Sequence, residues 1–225
     1  MAIVDSRIVG QSRSTKIFYA CVRGLVVGLC RSLLRLRVVG LENVPETGAF
    51  VFAPTHRSSI DIPVASAATR RRMRFMGKDT MWKHQPLNWM LSALGAFPVT
   101  RGSADREAIV RAIQVLKSGE PLVLFPEGER KSGPTVQPLM DGAAYVACKA
   151  GVPIIPVGIG GSERVMGKGA KFIYPRKLAV IIGEPIPVPA AIDGRMPRSA
   201  VKEVTAQLHE QLQLLFDQAQ GKCGY

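Results

Sequence analysis

The sequence predicts an α/β fold, with a mostly parallel central sheet flanked by helices on both faces. Three observations carry this expectation. Short apolar runs bounded by Gly or Pro, at 49–53, 122–125 and 152–157, read as buried strands. Between them lie stretches with apolar residues at helical spacing, and such alternation implies parallel strands with helices packed on the sheet. The 225 residues are 47% apolar, without internal repeat, low-complexity tract or composition break, so one domain with a sizeable core is expected. That single domain, 1–225, would divide into an N-terminal amphipathic helical segment at about 13–36, an α/β core at about 38–190 and a terminal helix at about 198–218.

Residues 1–13 read as a loose tail. Residues 17–36 are apolar but interrupted by Arg23, Arg31 and Arg35, and the charge-free stretches fall far short of the ~20 residues that span a bilayer. At about 100° per residue, Arg13, Lys16, Arg23, Arg31 and Arg35 occupy an arc of roughly 120°, with Ile, Phe, Val, Leu and Cys elsewhere. A basic amphipathic helix of this kind suits the headgroup region of an anionic membrane, as a membrane-docking segment. A helix laid on the protein's own core with its arginines solvated fits the same pattern.

Residues 38–41 make a short expected strand, and the turn-rich 42–48 leads into the run at 49–53. Residues 62–68 suit a helix with Pro63 in its first turn. Arg70, Arg71, Arg72 and Arg74 then form a basic surface leading into a strand at 75–78; it is either a solvated face or a grip for headgroups or a phosphate. Residues 81–94, with Trp82, Leu87, Trp89, Met90 and Leu91, read as an apolar helix that fills core, lines a tunnel or touches lipid. A strand at 95–101 closes on Arg101. The helix at 103–117 is the clearest: Ser103 caps it, Asp105 and Glu107 sit in its first turn, and Gly119 ends it. Its apolar face is Ile109, Val110, Ile113 and Leu116. A small-residue helix at 141–150 precedes the run at 152–157, whose two prolines equally allow an edge position. Short strands at 172–174 and 178–182, a loop at 185–197 and a helix at 198–218 complete the chain. Val201, Val204, Leu208, Leu212 and Leu215 share one face of that last helix.

The net charge of +13, from 30 Lys and Arg against 17 Asp and Glu, implies an anionic partner: nucleic acid, an anionic membrane or a phosphorylated substrate. Aromatics are only 6% and no nucleic-acid motif is present, which argues against the first. Cys21, Cys30, Cys148 and Cys223 form no C-x-x-C pair, and His56, His84 and His209 are scattered, so no metal site and no cofactor is expected. The first sixteen residues contain no signal-peptide apolar core.

The candidate chemistry gathers after the run at 49–53, in a polar loop carrying His56, Ser58 and Asp61. In open α/β sheets, sites form where strands end and helices begin. A carboxylate beside a histidine fixes one ring N–H, so that the other nitrogen serves as a general base. Downstream, Arg101 at a strand end can fork two N–H groups onto a phosphate. Gly128 lets backbone approach a ligand, Arg130 supplies charge, and Glu127 either accepts from a hydroxyl or holds Arg101; a purely structural Glu–Arg pair is the alternative. A serine hydrolase using Ser58 or Ser59 is disfavoured, because no G-x-S-x-G elbow is present.

His56-x-Ser58-x-x-Asp61 resembles the His-x4-Asp motif of the glycerolipid acyltransferases, the 1-acylglycerol-3-phosphate acyltransferase family, with Thr55 where the family usually has Asn. Residues 95–101 resemble its second motif. Residues 125–132 resemble the third, usually Phe-Pro-Glu-Gly-Thr-Arg-Ser, with Glu129 in place of Thr and one inserted residue before Ser132. Residues 152–157 resemble the fourth. The resemblance implies catalysis by His56 and Asp61, and an acceptor site formed by Arg101, Glu127, Gly128 and Arg130, with Lys78 a further binding residue. It implies an acyl donor, acyl-CoA or acyl carrier protein, and lysophosphatidic acid as acceptor, giving phosphatidic acid. The protein would then sit peripherally on the cytoplasmic face of the cell membrane. The alternatives are another glycerolipid acceptor, such as glycerol-3-phosphate, or a non-enzymatic basic surface that binds membrane or nucleic acid.

Overall fold

The computed structural model describes residues 13–83, 85–99, 106–189 and 196–225. Its strands are β1 Arg37–Val39, β2 Val51–Pro54, β3 Arg74–Lys78, β4 Ala96–Val99, β5 Leu122–Val123, β6 Ile154–Gly160 and β7 Ala179–Ile182. They form one sheet in the order β1-β7-β6-β2-β5-β3-β4. Every pair is parallel except β6–β7. The helices are α1 Arg13–Ser32, α2 Asp61–Ala67, α3 Gln85–Ala93, α4 Arg106–Lys117, α5 Gly142–Ala150, α6 Ser162–Met166 and α7 Arg198–Cys223.

Strand side chains alternate between two cores. Val51, Ala53, Leu122 and Ile154 meet residues of α4, α5 and α7 on one face. Phe50, Phe52, Val123, Ile155 and Val157 meet residues of α1, α2 and α6 on the other. The α/β class, the mostly parallel sheet and the helices on both faces are thus as the sequence implied. The last helix lies directly on β6: a Cβ at Gly158 would overlap the Leu215 backbone, and one at Gly160 the Ala219 backbone. Two glycines on one face of a strand, matched by two helix residues four apart, let backbone meet backbone.

Two expectations change and two alternatives are narrowed. The helix at 81–94 splits into a 3-10 turn, Asp79–Lys83, followed by α3. Pro86 is tolerated only in a first turn, so the helix starts beside it. In that segment Trp89 is 52% exposed rather than core. The strand at 172–174 does not form: the last β6–β7 pair is Gly160–Ala179, so these residues lie beyond any partner, and all of 171–177 is exposed. The run at 152–157 is an interior strand despite its prolines. Ile154 donates its N–H to Ile186 O on the β7 side, and Pro156 points the same way one residue before the ladder's other end, the pair Val157–Ile182. Its missing N–H therefore removes no rung of that ladder.

The N-terminal helix rests on the protein along one side. Thr15 and Cys30 are buried, Arg23 donates to Thr69 O, and Phe18 packs against Trp89 with ring centroids 4.9 Å apart. Its other side presents Ile17 and Leu25, 65% and 64% exposed, together with Leu29 and, just past the helix, Leu33. Among the described residues no helix is long and apolar enough to cross a membrane.

Candidate active site

The strands β2 and β5 are parallel neighbours, so the loops leaving their C-terminal ends meet. The first carries His56 and the second carries the Phe-Pro-Glu-Gly sequence. His56 Nδ1 lies 3.0 Å from Asp61 Oδ2, the same oxygen that accepts from Arg57 N and Ser58 N, each at 2.7 Å. Two backbone donors hold this buried carboxylate still, and its place as the first residue of α2 puts it at the partially positive end of the helix. As an acceptor it makes Nδ1 the protonated ring nitrogen and leaves Nε2 as the acceptor. Phe125 stacks on the imidazole with ring centroids 4.0 Å apart, fixing the ring plane. Thr55, where the family usually has Asn, is fully buried; its Oγ1 accepts from Ile159 N at 3.0 Å and ties the end of β2 to β6.

Glu127 lies inside the protein rather than on the wall of the cavity beside His56. It is buried and paired with Arg57, whose Nη1 donates at 2.6 and 2.9 Å to its two carboxylate oxygens. Glu127 Oε1 also accepts from His56 N at 3.0 Å, while Arg57 Nη2 donates to Thr135 O at 3.1 Å. Among the sequence alternatives it is the structural Glu–Arg pair that is present, with Arg57 as the partner. Arg57 was missed because an arginine next to a polar loop reads as surface; its burial depends on a contact seventy residues away. Lys131 N donates to His56 O at 2.9 Å, a further tie between the loops.

A cavity of about 220 Å³ opens beside the histidine, lined by His56, Phe125, Gly128, Glu129, Arg130 and Lys168. Gly128 takes φ +75°, where a side chain would be strained, and it exposes backbone at the cavity wall. Arg130 donates to Ser59 Oγ at 2.6 Å, which draws its guanidinium to the His56 loop. The Glu129 carboxylate is held below the usual range, first by the hydrogen bond from Lys131 at 2.8 Å and then by the charges of Lys131 and Lys168. This acid therefore does not stand unopposed beside the cavity. Lys168 belongs to no motif and was not singled out by the sequence. Lys78 ends β3, and its side chain is outside the described residues, as are all of Arg101, Ser103 and Asp105. Among the described residues no group of His, Cys, Asp and Glu could hold a metal ion.

A histidine oriented by a buried carboxylate, bordering a cavity also lined by Arg130 and Lys168 at the ends of parallel strands, is an arrangement that can supply a general base beside an anion site in an α/β fold. Residues 35–160, more than half of the sequence, match the family described as Acyltransferase, and the chain belongs to that family. It is 30% identical to the 1-acyl-sn-glycerol-3-phosphate acyltransferase of Bacillus subtilis (strain 168), over 67% of this chain and 73% of that one. It is 28% identical to a chloroplastic 1-acyl-sn-glycerol-3-phosphate acyltransferase of Brassica napus, over 66% of this chain but only 44% of the relative's length. The crystal structure of the 1-acyl-sn-glycerophosphate acyltransferase of Thermotoga maritima shares the fold, with a TM-score of 0.70 at 24% identity, covering 91% of this chain and 84% of that one.

Proposed function

We propose that this chain transfers a fatty acyl group from acyl-CoA or acyl carrier protein to the free hydroxyl of lysophosphatidic acid, producing phosphatidic acid. His56 Nε2 takes the hydroxyl proton as the oxygen attacks the thioester carbonyl carbon. Asp61 opposes the positive charge that develops on the ring. When the C–S bond breaks, the ring returns its proton to the leaving thiolate, so acid and base are restored within one turnover. The acceptor is itself the nucleophile, and no acyl-enzyme is required. Arg130, the Gly128 backbone and Arg101 are proposed to hold the acceptor phosphate, with Lys168, which lines the same cavity, and Lys78 as further cations.

The observation that carries this reading is the fixed imidazole, with Nδ1 committed to Asp61 and the ring bordering a cavity that also holds Arg130 and Lys168. The curated relatives named above are 1-acyl-sn-glycerol-3-phosphate acyltransferases, which supports the same acceptor. Because that acceptor lives in a bilayer, the outward side of α1, with Ile17, Leu25 and Leu29 near Arg13, Lys16 and Arg31, is proposed as a docking face for an anionic membrane. The deciding experiment incubates purified protein with palmitoyl-CoA and either lysophosphatidic acid or glycerol-3-phosphate, and identifies the product by mass. Phosphatidic acid from the first pairing is expected. Product from glycerol-3-phosphate alone would move the assignment to that acceptor, and no product with either would remove it.

A further inference from the structure

The segment that failed to form a strand is unusual in what it exposes. Phe172, Ile173 and Tyr174 are 71%, 59% and 53% exposed, three consecutive large apolar or aromatic side chains at a loop tip. Isolated exposed apolar residues need no explanation, but a contiguous group does. The loop is fixed at both roots. Tyr174 N donates to Val165 O at 2.9 Å, and Ser58 Oγ, within the His56 loop, donates to Met166 O. At the other root, Leu178 N donates to Leu34 O at 2.9 Å, just beyond the end of α1. The apolar tip is therefore held out from a base anchored to the His56 loop on one side and to the residues just after α1 on the other.

Its flanks are cationic. Lys168, Lys171, Arg176 and Lys177 flank the tip in sequence, all of 171–177 is exposed, and no acidic residue lies between Glu163 and Glu184. Lys168 also lines the His56 cavity. An aromatic tip with basic flanks matches an anionic bilayer surface, where amphipathic rings settle at headgroup level and basic residues meet lipid phosphates. A second copy of this chain fits less well, because a symmetric contact would bring the two basic flanks together. We propose that residues 168–177 form an interfacial wedge: Phe172, Ile173 and Tyr174 enter the headgroup region of an anionic membrane and seat the mouth of the His56 cavity against it. This deepens the proposed function, since it rests on the acceptor being a membrane lipid.

The test uses the full chain carrying Cys21→Ser and Ile173→Cys, labelled at the new thiol with an environment-sensitive dye; the remaining cysteines are buried. Mixing with vesicles of phosphatidylglycerol and phosphatidylcholine is expected to blue-shift and brighten the dye several-fold, and phosphatidylcholine alone is not. Unchanged emission while the protein floats with the vesicles would overturn the wedge, as would failure of the protein to float at all. A dye shift that follows protein concentration without lipid would replace the membrane with self-association. A second variant, Phe172→Ser/Ile173→Ser/Tyr174→Ser, is expected to lose about tenfold in vesicle affinity. Its transfer to vesicle-borne acceptor should fall in parallel, while transfer to a short-chain acceptor free in solution stays at the wild-type rate. Equal losses on both acceptors would show that the loop supports the site structurally and would overturn the proposal. The dye reports docking without reference to acyl transfer, so a shift with no transfer to any acceptor would fail the proposed function and leave the wedge standing.

Discussion

His56 has one ring nitrogen committed and one available, and its replacement is the most direct test of the chemistry. His56→Ala is expected to lower transfer by ~10²–10⁴-fold with the fold intact, measured as single-turnover rate alongside circular dichroism. In Asp61→Asn, an amide oxygen can still serve the Arg57 and Ser58 N–H groups, but the charge opposing the imidazolium is gone; a loss of about 10²-fold with unchanged stability is expected. Arg57 gives a different outcome. Arg57→Met leaves the buried Glu127 carboxylate without its cation, which costs about 3–5 kcal/mol in urea unfolding, and Arg57→Met/Glu127→Leu should recover part of that loss. Full additivity of the two single losses would show that the pair does not act as a unit. His56 and Asp61 were legible in sequence because only four residues separate them, from the loop after β2 to the first residue of α2. For Glu127 the sequence left a ligand hydroxyl, Arg101 and a structural arginine partner all open, because nothing local reveals which cation reaches it. Lys168 was invisible, since it enters the cavity from a loop with no motif of its own.

At the scale of elements, β2, β5 and β6 formed where expected because they are enclosed on both faces, where an apolar run has no alternative, while the edge strands β1 and β4 formed because each has a parallel neighbour to pair with. Residues 172–174 have the same composition but no neighbour to pair with, and composition alone cannot report where a neighbouring strand ends. The seat of α7 on β6 was equally hidden: Gly158 and Gly160 matter only because a helix backbone lies on them. Gly158→Ala and Gly160→Ala should each cost about 1–3 kcal/mol or more, read from the urea midpoint, because helix backbone rather than a flexible side chain must move. For α1, Leu25→Ser/Leu29→Ser is expected to weaken flotation on phosphatidylglycerol vesicles without changing the unfolding midpoint, as both side chains face outward. A lowered midpoint would show that they belong to the core instead.

The whole molecule carries four thiols, of which Cys21 is exposed and Cys30, Cys148 and Cys223 are buried. Burial pushes those three thiols up, so they are both shielded and short of reactive thiolate. A chromogenic disulfide reagent in mild alkali should release one equivalent quickly and three more only on denaturation, which provides a direct count of folded molecules. That count matters because of the Arg57–Glu127 pair. It joins loops from distant parts of the chain, and the same carboxylate holds His56 N. The pair is the buried, charged tie among several between these loops, beside Lys131 N to His56 O and Arg130 to Ser59. Because one carboxylate serves both the pair and the base, the site is expected to open as a unit. Damage to the joint should appear as fewer active molecules per mole of protein, each turning over at the native rate, rather than as a uniform population of slower ones.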